Sequence, residues 1–146
     1  MTRPAGYTYR AGMTQHPEAS VTGAAIFVKS VVEGRIDRSA LSVLPLLRAH
    51  PPSWGGEHYD GFFFFAAFYT TQGMFQLGGD DWERYHRRLQ RVVVDHQAGD
   101  GSWPFPEDNA SQSRLAGDAY STAMSLLLLS QQQQFLPMYQ RQVALF

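Results

Sequence analysis

The sequence predicts an all-α domain built from repeated helical hairpins, and three observations predict it. Glycine and proline cut the chain into stretches of helix length, wholly apolar and amphipathic stretches alternate, and one polar mark returns at nearly even spacing. The mark is Ser20-Val21-Thr22, Tyr69-Thr70-Thr71 and Tyr120-Ser121-Thr122, whose last threonines stand 49 and 51 residues apart. Each interval holds one greasy helix, one amphipathic helix and their turns. A unit of about fifty residues is a helical hairpin near the upper end of helical repeats, and three units fit the chain. Residues 1–146 read as a single domain.

The elements follow in order. After a polar entry segment with Gly6, Gly12 and Pro17, a helix is predicted over residues 18–33, with Ala24, Ile26, Phe27, Val28, Val31 and Val32 covering most of one side and Gly34 stopping it. A second helix is expected over residues 38–50, with Asp37 as N-cap and Leu41, Leu44 and Leu47 on its buried stripe. Pro45 should bend it or shorten its first half, because proline removes a donor and crowds the preceding turn. Pro51-Pro52 ends it.

Residues 59–77 are the most apolar stretch, with Phe62, Phe63, Phe64, Phe65, Phe68, Tyr69, Met74 and Phe75. A phenylalanine run favours strand locally, but the pattern continues unbroken to Gly78-Gly79. A helix buried on nearly all sides is therefore predicted. Asp80 with Glu83 reads as an acidic capping box opening a helix over residues 81–97. In that helix Trp82, Tyr85, Leu89, Val92 and Val93 face inward, and Glu83, Arg84, Arg87, Arg88 and Arg91 face outward. A loop over residues 98–117 leads to Asp118 as N-cap of a greasy helix over residues 119–134, and a short last helix is expected over residues 136–145.

Composition excludes several functions. Absence of cysteine removes disulfides, thiolate nucleophiles and Cys-ligated zinc. A formal charge of −1 gives no support for electrostatic capture of nucleic acid or anionic lipid. Residues 62–68 and 126–129 are too short to span a bilayer. No apolar leader is visible at the N-terminus, so a cytoplasmic setting is the default expectation.

Gln97-Ala98-Gly99-Asp100-Gly101-Ser102-Trp103 matches the Q-x-x-x-G-x-W core that recurs between hairpins of squalene and oxidosqualene cyclases. Gly6-Tyr7-Thr8-Tyr9 and Pro52-Ser53-Trp54 look like degenerate copies ahead of the other greasy helices, while Val92 and Val93 stand where the longer motif has an aromatic. The run from Phe68 to Trp82, and Tyr120-Ser121-Thr122-Ala123-Met124 with Phe135-Leu136-Pro137-Met138-Tyr139, resemble bacterial prenyltransferase or squalene-oxidase repeat proteins. The chain thus resembles the α/α-toroid superfamily of squalene cyclases and prenyltransferases. That resemblance implies inner greasy helices wrapped by outer amphipathic ones, and a partial toroid, since closure takes about six hairpins. Gln97, Gly101 and Trp103 are its structural motif residues.

The resemblance does not bring its chemistry along. Cyclases protonate an alkene with a D-x-D-D cluster; here Asp80-Asp81 is the one adjacent pair, and it reads as helix capping. Protein prenyltransferases hold zinc with Asp, Cys and His, and this chain has no cysteine. A substitute set of His86, Asp95 and His96 is conceivable, since histidine is the commonest metal ligand, but it is disfavoured; these histidines read as surface groups. No catalytic residue, metal or cofactor is therefore expected. Phe62, Phe65, Phe68, Tyr69 and Phe75 either fill a core or line an apolar cavity, where ring faces attract cations. The expected function is a non-catalytic scaffold or interaction domain that self-associates or docks on another chain. The alternative is an isoprenoid-binding or cyclase-like enzyme completed by another segment or subunit.

Overall fold

A computed structural model describes residues 5–9, 17–55, 63–106 and 117–133, and every regular element among them is helical. Helix α1 spans Ala19–Glu33 and closes at Gly34 in the left-handed conformation (φ 65°). Its buried stripe is Ala19, Thr22, Gly23, Ile26, Phe27 and Ser30, while Val28, Val31 and Val32 are exposed. The apolar side expected from the sequence is therefore rotated: small and hydroxyl residues, not the valines, face the neighbouring helix.

The second helix divides in two. Asp37 caps a 3-10 turn, Arg38–Val43, by accepting from the Ser39 and Ala40 amides, and α2 then spans Leu44–Ala49. Pro45 sits in the first turn of α2, where its missing N–H costs no helical bond. Three residues per turn in the 3-10 segment shift the buried phase to Ala40 and Val43, leaving Leu41 exposed rather than inward.

Helix α3, Phe63–Leu77, confirms a helix through the phenylalanine run from Phe63 on; Phe62 lies outside the described residues. Gly78 and Gly79 both take positive φ (69° and 64°), so the chain reverses within two residues into α4, Gly79–Val94. The expected capping box is absent: Gly78 is the N-cap, no side chain caps it, and Asp80 and Asp81 fall in the first turn. There their charges favour the helix dipole. Trp82, Tyr85, Leu89 and Val93 are buried as expected, and Val92 is half-buried. Helix α5 spans Gly117–Ser130 and runs into a 3-10 turn, Gln131–Gln133. Asp118 lies in its first turn rather than before it. The short helix expected over residues 136–145 lies outside the described residues.

Helices α1 and α3 share the largest seam. Thr70 Oγ1 donates to the Ala19 carbonyl, and a Cβ placed on Gly73 would come within 2.6 Å of the Gly23 carbonyl oxygen. Residue numbers rise together along this contact, so α1 and α3 run in the same direction. The start of α5 meets the start of α3 through Tyr120 and Phe64 (5.8 Å), and the Gln131–Gln133 turn still touches α3, so α5 runs the same way. On one side of this row lie α2 and α4, tied to each other by a fork from Arg48 to Asp81 across Met74 of α3. No helix among the described residues is long and apolar enough to cross a membrane.

Candidate functional site

The side of α3 away from Met74 carries Phe65, Phe68, Tyr69, Gln72 and Gln76, at spacings that share one helical face. Phe65 is 45% exposed, and Phe68 and Tyr69 are half-buried. Tyr69 makes edge contacts with both, at 4.8 Å to Phe65 and 5.4 Å to Phe68. One turn on, Gln72 is buried and its Oε1 has no hydrogen-bond partner among the described residues. An unpartnered amide oxygen beside three rings is costly to bury, on the order of 1–3 kcal/mol. Three of the five aromatic candidates thus form one apolar face. Phe75 does not join them: it packs edge-on against Trp82 of α4 at 5.1 Å. Phe62 lies outside the described residues. Gln72 was missed because a lone polar residue in an apolar helix carries no motif.

The turn after α4 gives Gln97, Gly101 and Trp103 definite roles. Gln97 Nε2 donates to the Gly101 carbonyl at 2.9 Å, and Gly101 takes φ 88° to let the chain fold back. Trp103 is 3% exposed, and its indole N–H donates to the Val93 carbonyl at 2.6 Å. Its amide donates to Thr122 Oγ1 at 3.1 Å, and its carbonyl accepts from Ser121 Oγ. The ring therefore pins the end of α4 to the start of α5.

The acidic and histidine candidates separate. Asp81 accepts two bonds from Arg48 (2.8 and 2.7 Å) and one from Arg84 (2.7 Å). Arg48 chiefly, with Arg84, holds its carboxyl below the usual carboxylate range. A group kept ionised in this way cannot serve as the protonated acid of an alkene-activating pair near neutral pH. His86 corrects the surface reading: it is buried, stacks on Trp82 at 4.6 Å, and burial pushes its pKa down. His96 is exposed and stacks on Trp54 at 4.7 Å. Among the described residues no three His, Asp or Glu side chains gather closely enough to hold a metal. Comparison with protein-family models, with curated proteins and with solved structures finds no match for this chain.

Proposed function

We propose that this chain is a non-catalytic interaction domain of toroid-type helical hairpins, a partial ring whose two open edges self-associate. One observation carries the reading: apolar residues are exposed on the outermost helices of the row, on the sides that α3 does not cover. On α1, Val28 (53%) and Val32 (78%) lie opposite the Gly23–Ser30 stripe that meets α3. On α5, Leu126 (53%) lies away from the buried Ser121, Ser125 and Leu128. Their neighbours Ile26, Phe27 and Leu128 are buried and Leu129 is half-buried, so the exposed edges are confined to the outer sides of the two helices. Large contiguous apolar patches are unusual on monomers, and two edges of one repeat array can meet in a closed symmetric assembly. Light scattering at micromolar concentration should give a mass above that of one chain. Leu126→Lys should return it to monomer with its helicity unchanged. A strictly monomeric wild type that binds no hydrophobic dye overturns the proposal.

The second reading is an isoprenoid-binding domain, favoured by the Phe65–Phe68–Tyr69 face and the unpartnered Gln72 oxygen. Mass spectrometry of the natively purified chain decides it. A co-purifying polyprenyl lipid, lost in Phe65→Ser, supports this reading, and a lipid-free protein ends it.

A further inference from the structure

We infer that the groove between α2 and α4 is a binding site for a small organic anion, an acidic head on a compact apolar body. The groove has a volume of about 320 Å³, at the lower end of the range of small-molecule pockets, about 300–1,000 Å³. Its floor is apolar, with Leu47, Met74 and Pro52 all buried. Its walls carry Arg48, Arg84 and Arg88 against the single carboxylate of Asp81.

An ion pair between α2 and α4 does not need this many cations. Arg48 alone satisfies Asp81 with a two-point fork (2.8 and 2.7 Å), the geometry in which a guanidinium matches a carboxylate best. Arg84 adds one more bond to the same carboxylate, and Arg88 is positioned by its Nε donating to the Pro52 carbonyl at 2.9 Å. Each guanidinium has five N–H donors, and these contacts leave most of those on Arg84 and Arg88 without an acceptor among the described residues. Three cations around one carboxylate leave two positive charges facing one concavity, a repulsion that a bound anion relieves. The buried floor beneath them selects for an apolar body attached to the acidic head.

Calorimetric titration of the intact chain with phenyl phosphate, benzoate, phenol and inorganic phosphate tests the assignment. Phenyl phosphate or benzoate should bind in the millimolar range or tighter, and phenol and inorganic phosphate at least about tenfold more weakly. Whichever acid binds more tightly identifies the preferred head. Arg88→Gln should weaken binding about tenfold with an unchanged circular dichroism spectrum. Should that variant unfold, Arg84→Gln takes its place, since that side chain is 61% exposed. Inorganic phosphate binding as tightly as phenyl phosphate would reduce the groove to a cationic surface, and phenol binding as tightly would reduce it to an apolar one. Either result overturns the proposal. So does a silent titration with both acids up to about 10 mM, or affinity unchanged in both arginine variants.

Discussion

The joint that leads into α1 and the joint that leads into α5 are built alike, and the one that leads into α3 is not. Tyr7 donates its amide to Thr22 Oγ1 at 2.9 Å, and Trp103 donates its amide to Thr122 Oγ1 at 3.1 Å. In both, the aromatic residue's carbonyl is also taken, from Glu18 N in the first joint and Ser121 Oγ in the third. Before α3, Trp54 instead stacks among Phe63, Phe64 and His96, and Thr71 turns its hydroxyl back to the Ala67 carbonyl of its own helix. What these two joints share is a threonine hydroxyl near the start of the greasy helix that receives the incoming backbone. The aromatic ring ahead of it is free to vary in depth: Trp103 is 3% exposed and Tyr7 46%.

The largest test exploits that difference in depth. Trp103→Ala should destabilise the protein by about 3–5 kcal/mol, because it removes a buried ring and leaves the Val93 carbonyl without its indole donor. Tyr7→Ala should cost about 1 kcal/mol, since nearly half its surface is already in water. Urea unfolding of both variants measures the gap. Equal costs would mean that ring burial is not what separates the two joints.

The next test moves to the seams between helices. A methyl group on Gly73 would meet the Gly23 backbone at 2.6 Å, whereas Gly99 has no atom within 4 Å of its own added Cβ. Gly73→Ala should therefore cost about 1–3 kcal/mol, and more if the backbones cannot part; Gly99→Ala should be near neutral. A tolerant Gly73 would show that α1 and α3 are less closely seated than the 2.6 Å approach implies.

These seams also show why some of the structure was legible in the sequence and some was not. Helix α4 could be read at every position but His86 and its N-cap, because its arginines and Glu83 mark the solvent side. In α1 the only charges are Lys29 and Glu33, one pair near its C-terminal end, and the seam is chosen by what can approach closely, so Gly23 and Ser30 go in and the valines stay out. The Trp103 turn was legible because Gln, Gly and Trp each have a distinct local task. The capping box failed because Gly78 and Gly79 carry α3 straight into α4, which places Asp80 inside the first turn, while Glu83 pairs with Arg87. The aromatic face was legible as a composition but not as a set, since Phe75 belongs to the α4 contact. Pairing of α2 with α4, and hence the arginine groove, has no local signature at all.

A smaller effect tests the shared hydroxyl directly. Thr22→Val and Thr122→Val keep side-chain shape and remove one acceptor each, leaving a part-buried amide unpaired. Each should cost about 1 kcal/mol, and the two costs should agree. A loss at one joint alone would break the likeness between the joints that lead into α1 and α5.

The smallest effect concerns His86 on α4, whose last turn and the turn just after it touch both unlike joints through Val93 and His96. Its ring is buried against Trp82, and burial lowers its pKa from the ordinary value of 6.5. Above that value the imidazole is neutral whether the chain is folded or not, so it contributes no pH dependence. As pH falls below it, the unfolded chain takes up a proton that the folded chain resists, and stability falls until the folded pKa is passed. Unfolding free energy should therefore decline as pH falls below about 6.5. His86→Phe keeps a ring on Trp82 but cannot titrate, so its stability should stay flatter across that window. Asp81 cannot produce the same slope, because its pKa is lowered from 3.8 and its contribution is lost only at more acid pH. Denaturant midpoints at half-unit pH steps separate the two windows. A variant that follows the wild-type decline would place the proton elsewhere and leave the Trp82–His86 stack without a part in it.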